Sequence, residues 1–216
     1  MVVEMLRRKS VVLAYIAVFS SLSLILATVR AEVPFPPLPY LKFDFAEVPV
    51  MMVFMLGGPI SALIAETIHW IGLISRGGWL GPTMKFLAVT PMIGGFWIGI
   101  KTGIRLLRGH RKISLRRIFL SGMIIGIILR VIVCTFTNIM LFLFISPGYL
   151  QFAEATLKTV GIKVTSTLDV WIWTLMLTGI FNAIHVPLSS IISLLILKAA
   201  LRKIPIIAKE IWLLQL

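Results

Sequence analysis

Nine side chains able to ionise, hydrogen-bond or bind metal stand inside or at the edges of long apolar runs: Asp44, Glu47, Glu66, His69, Lys85, Arg130, Asn138, Asn182 and His185. In an apolar medium each is costly unless it has a partner, so each is a candidate for function. Glu66 and His69, three residues apart, have the spacing that helical bundles use to bind metal. A di-iron site needs two such pairs and further carboxylates, and the chain has one. The His-Glu-x-x-His pattern of zinc hydrolases is absent. No Gly is followed by Lys, so the phosphate-cradling Gly-x-x-x-x-Gly-Lys-Ser/Thr loop is missing and the chain is not expected to hydrolyse ATP. The Gly-x-Ser-x-Gly elbow of serine hydrolases is missing too. Recognition is expected rather than catalysis, with no catalytic residue, metal or cofactor. The competing reading is a membrane-embedded metalloenzyme built on Glu66, His69 and His185.

The amides point to what could be recognised. Asn carries two donors and an acceptor, a match for the imide-like edge of a neutral, hydrogen-bond-rich ligand such as a flavin or another vitamin. Asn182 and His185 are three apart and share a helix face. The rise of a helix puts Asn138 about 12 Å, and Asn182 about 16 Å, below the nearer ends of their helices. Lys85 and Asp44 fall near the same ends of theirs, so the four can converge on one cavity. A buried amide can equally serve as an interhelical hydrogen bond, and Lys85 can snorkel to headgroups. Arg130, near mid-depth, needs a partner, and Glu66 is the best match by depth. Cys134, the single cysteine, reads as a small core residue.

These groups need helices to hold them. The apolar fraction is 59%, the mean hydropathy +1.03 and the charged fraction only 13%. A soluble fold could not clothe itself from such a composition. The apolar residues come in blocks at about 10–29, 45–75, 86–104, 118–146 and 168–200. The first follows Arg7, Arg8 and Lys9 like a signal peptide, but it is long enough to span a bilayer and is read as a retained helix. Gly57-Gly58-Pro59 breaks the second block, because proline removes a donor and clashes with the preceding turn.

Charge decides whether that break is a kink or a hairpin. Of the 21 Lys and Arg, 14 lie in residues 7–9, 101–117 and 198–209. Basic segments stay in the cytoplasm. A hairpin of two short helices, 45–57 and 59–75, gives an even number of crossings and leaves all three clusters on that side; a single kinked helix does not. The expectation is an all-α, integral membrane six-helix bundle with both termini cytoplasmic, forming a single transmembrane substrate-binding domain over 1–216. Outer loops fall at about 30–43, 76–84 and 147–167, with Trp79, Tyr149, Trp171 and Trp173 at the outer boundary. The net charge of +13 is thus assigned to orientation in the cell membrane, with no nucleic-acid partner. Ala17 and Ser21 on the first helix, with Ala14 one turn earlier, have the small-residue spacing that lets helices approach closely.

Several segments carry a family likeness. Asp44-Phe45-Ala46-Glu47-Val48-Pro49 following Leu38 to Phe43, then Gly57-Gly58-Pro59, then Arg130 to Asn138, then Phe181 to His185, together resemble the substrate-binding S component of energy-coupling factor (ECF) vitamin transporters of the riboflavin type. The likeness covers nearly the whole length. It implies a non-catalytic subunit that captures riboflavin from outside, with thiamin or pantothenate as sister specificities. It implies ligand contacts from Pro39, Tyr40 and Leu41 in the first outer loop and from Asn138 and Asn182. It also implies docking through Ala14, Ala17 and Ser21 onto a transmembrane coupling protein driven by two ATPase subunits. Family members often have Lys where His185 stands and Asn in the place of Lys85, so those two contacts depart from the pattern.

Overall fold

The computed structural model describes residues 2–107, 115–205, 208 and 211–215, with side chains from Lys9 onward. Arg7 and Arg8 as side chains, and Arg108, Arg111, Lys112 and Lys209, lie outside the described residues.

The apolar blocks become helices. α1 (Val2–Thr28) precedes a hairpin of strands β1 (Glu32–Phe35) and β2 (Leu38–Asp44); then come α2 (Glu47–Gly57), α3 (Pro59–Ile74), α4 (Leu80–Leu107) and α5 (Leu115–Met140), the last continued by a π-helical turn over Leu141–Ile145. α6 (Gly148–Thr159) and α7 (Thr167–Lys203) follow, and a short 3₁₀ turn covers Trp212–Leu214. Four segments are long and apolar enough to cross a membrane: Lys9–Thr28, Leu80–Leu106, Leu115–Ile145 and Thr167–Lys203. Their unpacked faces are apolar, as in Ile124, Ile128, Ile132 and Phe136 of α5, and α3 likewise exposes Ile60, Ile64, Ile68 and Ile71.

Two outer loops hold structure that was not expected. The six expected segments are all helical, and the 147–167 loop adds α6, whose Ala153 and Leu157 are buried. The fold is mostly but not purely helical. The 30–43 loop forms an antiparallel ribbon pairing Glu32 with Asp44, Val33 with Phe43 and Pro34 with Lys42, with its register disturbed between Pro34 and Phe35. Prolines tolerate this arrangement because each strand of a two-stranded ribbon has an unpaired edge.

The break after Leu56 is a tight turn between two helices. Gly58 takes φ 86° and ψ −179°, a backbone region that essentially only glycine occupies, and Pro59 opens α3, where its missing N–H costs nothing. α2 is apolar nearly all round, and its residues from Glu47 to Leu56 are buried. At 11 residues it is too short to span a bilayer, and its neighbours enclose it: Phe54 and Met55 pack in one core with Met92, Ile93 and Phe96 of α4 and with Ile211 and Leu213 of the tail. α4 and α5 approach with their backbones almost touching. A Cβ placed on Gly95 would sit 2.7 Å from the Cα of Gly126, and Ser121 Oγ donates to the Gly99 carbonyl at 2.8 Å. α7 starts at a reciprocal cap in which Ser166 Oγ accepts from Asp169 N and Asp169 Oδ2 accepts from Ser166 N.

Candidate ligand-binding site

Beneath the ribbon and α6, the ends of α4, α5 and α7 enclose a cavity of about 470 Å³, within the range of small-molecule sites. Its floor is organised by Arg130 of α5, which is 2% exposed. All five guanidinium N–H groups find an acceptor. Nη1 and Nη2 donate to Glu47 Oε2 and Oε1 at 2.7 and 2.9 Å, and Nε donates to Asn182 Oδ1 at 2.9 Å. Nη2 also reaches His185 Nδ1 at 3.1 Å and Nη1 the Met92 sulfur at 3.5 Å. The Glu47 pair is a two-point fork, the strong form of charge-assisted contact.

This corrects the expected partnership of Arg130 with Glu66. α3 packs against α1, α2 and α4, whereas α5 packs against α4 and α7, so Glu66 is in the wrong neighbourhood despite its depth. Glu66 instead accepts from His69 within its own helix, Nδ1 to Oε2 at 3.3 Å, with both side chains buried. No third metal-ligating side chain joins them among the described residues.

Arg130 also orients His185. A guanidinium can only donate, so Nδ1 accepts from Nη2. Nε2 lies 3.2 Å from Asp44 N and 3.3 Å from the Asp44 carbonyl, tying the floor to the last residue of β2. Asp44 Oδ1 accepts from Ala46 N at 2.7 Å, and its Oδ2 accepts from Lys85 Nζ of α4. The ribbon is held on the other side by rings: Phe43 lies 4.8 Å from Phe181 and 5.5 Å from His185 between centroids. At the rim Lys42 pairs with Glu32 across the ribbon.

Tyr40, Leu41, Asp44, Lys85, Asn138, Asn182 and His185 all line the cavity. Pro39 does not: it is exposed, between buried Leu38 and half-buried Tyr40. Asn138 Nδ2 donates to the Cys134 carbonyl at 2.7 Å, and Asn182 Nδ2 donates to the Thr178 carbonyl at 2.9 Å. The Tyr40 ring lies 5.5 Å from that of Phe152 of α6 at a tilt of 50°, and its buried Oη has no hydrogen-bond partner among the described residues. Burial pushes that phenol up to about 12. Residues not singled out as site residues also line the wall, among them Glu47, Arg130, Cys134, Tyr149, Thr178 and Phe181. Thr178 and Phe181 were within reach of helical spacing, four residues before Asn182 and four before His185 respectively. Tyr149 required knowing that α6 folds over the site.

A family model described as the substrate-specific component of ECF transporters matches residues 11–197. The chain belongs to the ECF transporter substrate-specific component family. A solved structure, described as the S component of a bacterial ECF transporter, superposes with a TM-score of 0.65 over 90% of this chain and 97% of that one. At 21% identity it shows the fold. The riboflavin transporter RibU of Staphylococcus aureus (strain TCH60) is 32% identical over 75 residues, 34% of this chain and 39% of that relative's length.

This S component is therefore a multi-pass membrane protein and part of a transporter. On its α1, Ala14, Ala17 and Ser21 are exposed, with Ser21 Oγ folded back on the Ala17 carbonyl at 2.8 Å. The matched region ends before Ile204, yet Ile211 and Leu213 are buried and Trp212 lies 5.4 Å from Phe54. Residues 211–213, beyond the matched region, are packed into the bundle.

Proposed function

We propose that this S component captures riboflavin from outside the cell and delivers it to an ATP-driven importer of the ECF type. The observation that carries the reading is the charge balance of the cavity: Glu32 with Lys42, Asp44 with Lys85 and Glu47 with Arg130 are each paired. Such a cavity offers no uncompensated charge to an ionic ligand. It offers amides, a buried phenol and aromatic faces, which suit a neutral ring with an imide edge. The short stretch of likeness to a riboflavin transporter points the same way. The distribution of basic segments supports an orientation with both termini in the cytoplasm and the ribbon outside.

Binding is non-catalytic. Asp44, Lys85, Asn138, Asn182 and His185, with Tyr40 and Leu41, form the ligand's surroundings, and Pro39 shapes the ribbon. Uptake requires a transmembrane coupling protein, docked on Ala14, Ala17 and Ser21, and two ATPase subunits. Purified protein is expected to carry a yellow flavin or to melt at higher temperature with riboflavin. A shift with thiamin or pantothenate and none with riboflavin would reassign the ligand; no shift with any of them would overturn the reading. Vesicles holding this chain alone should not accumulate ligand.

A further inference from the structure

We infer that Arg130 is a positioning residue for ligand recognition: its guanidinium fixes the orientation of the Asn182 amide and thereby sets which hydrogen bonds that amide offers to the cavity. The inference rests on the ligand-binding reading above. Neutralising a buried guanidinium requires only the two bonds to Glu47. The remaining N–H groups are not spent on backbone carbonyls. Nε–H goes to Asn182 and the second Nη2–H to His185, both on the cavity wall.

The chemistry of the partners makes the orientation one-way. The final torsion of an asparagine is broad and roughly two-fold, so the amide alone can present either end. Here Oδ1 faces a group that only donates, Nε of Arg130 at 2.9 Å. Nδ2 faces a group that only accepts, the Thr178 carbonyl at 2.9 Å. A flipped amide would set N–H against N–H and oxygen against oxygen. One N–H and one lone pair are committed, leaving one of each for a ligand. Asn138 has no such lock. Its Nδ2 is held by a carbonyl in its own helix, but no described side chain fixes its Oδ1. Lysine could balance Glu47 but could not replace the fork, because its ammonium lacks the planar array that reaches three side chains at once.

The test is a double-mutant cycle on the full chain in detergent, read by quenching of riboflavin fluorescence. Asn182→Ala and Arg130→Lys should each weaken binding about tenfold, the loss of roughly one net hydrogen bond. The double variant should lose about ten- to thirtyfold in all, short of the product of the singles, because Arg130 acts chiefly through that amide and only its hold on His185 remains to add. A hundredfold loss in the double variant, the product of the singles, would overturn the inference. If Arg130→Lys does not fold, Glu47→Gln, which slackens the guanidinium without removing it, takes its place in the cycle. A second readout needs no ligand. In protein labelled with 15N-asparagine, the Asn182 side-chain NH₂ pair should be dispersed in the wild type and collapse toward the free-amide position in Arg130→Lys. An unchanged pair overturns the positioning role even if riboflavin binds. A collapsed pair in a protein that binds no vitamin sinks the ligand reading and leaves the lock itself intact.

Discussion

Removing Glu47 should cost this protein more stability than removing Glu47 and Arg130 together. Glu47 is 1% exposed, Arg130 is 2% exposed, and the two share a fork with contacts of 2.7 and 2.9 Å. Glu47→Leu leaves the guanidinium buried with its charge uncompensated, and breaking a buried pair in this way costs about 3–5 kcal/mol. Arg130→Met leaves the carboxylate unpaired and also frees Asn182 Oδ1 and His185 Nδ1, each worth about 1–3 kcal/mol if no water replaces the lost donor. Both atoms border a cavity, so water can refill them, and we expect the second single variant to lose about 4–6 kcal/mol. The double variant removes both charges and leaves an apolar floor, for which similar replacements elsewhere are near neutral, so its loss should be about 2 kcal/mol or less. The assay is reversible unfolding of ligand-free protein in mixed micelles, followed by tryptophan fluorescence at one detergent composition. A double variant as damaged as the sum of the singles refutes the reasoning, as does a Glu47→Leu loss below about 1 kcal/mol.

Three further outcomes follow from local geometry. Gly58→Ala should lower stability by about 1–3 kcal/mol, since φ 86° with ψ −179° strains any side chain and the new Cβ would lie 3.1 Å from Trp212 Nε1; thermal unfolding reads it. Tyr40→Phe should leave ligand-free stability unchanged or slightly higher, because it removes a buried hydroxyl without a partner, while weakening riboflavin binding. The same variant should flatten the alkaline limb of the stability profile. The folded phenol holds its proton to about 12 while the unfolded one releases it near 10.0, so wild-type stability falls as pH rises between those values and the variant lacks that contribution. Lys85→Met should release riboflavin faster with little change in unfolding midpoint, because the Asp44 contact it removes ties the ribbon to α4 at a partly exposed position; stopped-flow fluorescence reads the rate.

What was legible in the sequence follows from the solvent. Long apolar blocks and the Gly57-Gly58-Pro59 break are one-dimensional signals, and helical rise converts them directly into helix lengths and into positions of Asn138 and Asn182 along their helices. Neighbourhood within the membrane plane is not one-dimensional. Glu66 matched Arg130 in depth, but α3 packs mainly on α1, α2 and α4, and only the packing order shows that Glu47 takes the guanidinium. The ribbon was hidden by Pro34, Pro36, Pro37 and Pro39, a composition that argues against strands except at edges, and this sheet is all edges. α6 was hidden because its apolar stripe is short and lies among polar residues, so no block rises above the loop around it. Pro39 shows the limit at single-residue scale: it is exposed and off the cavity while its neighbours Tyr40, Leu41 and Lys42 line it, a difference no motif announces.

The buried fork at the cavity floor is hard to explain by stability. Apolar residues of similar size would serve a membrane core at least as well, and they would carry no cost of dehydration. Its geometry supplies a different reason. From Arg130 one arm reaches Asn182, which faces the cavity, and another reaches His185, whose Nε2 meets the backbone of Asp44 at the foot of the ribbon. Asp44 in turn is gripped by Lys85 from α4. The groups that would read a ligand and the strand that would cover it are thus positioned by one side chain. A shift of the ribbon away from α4 must disturb His185, and a rotation of His185 must disturb the guanidinium that holds Asn182. A floor built of leucine could hold the helices together, but it could not make the amide and the ribbon take up their positions as one unit.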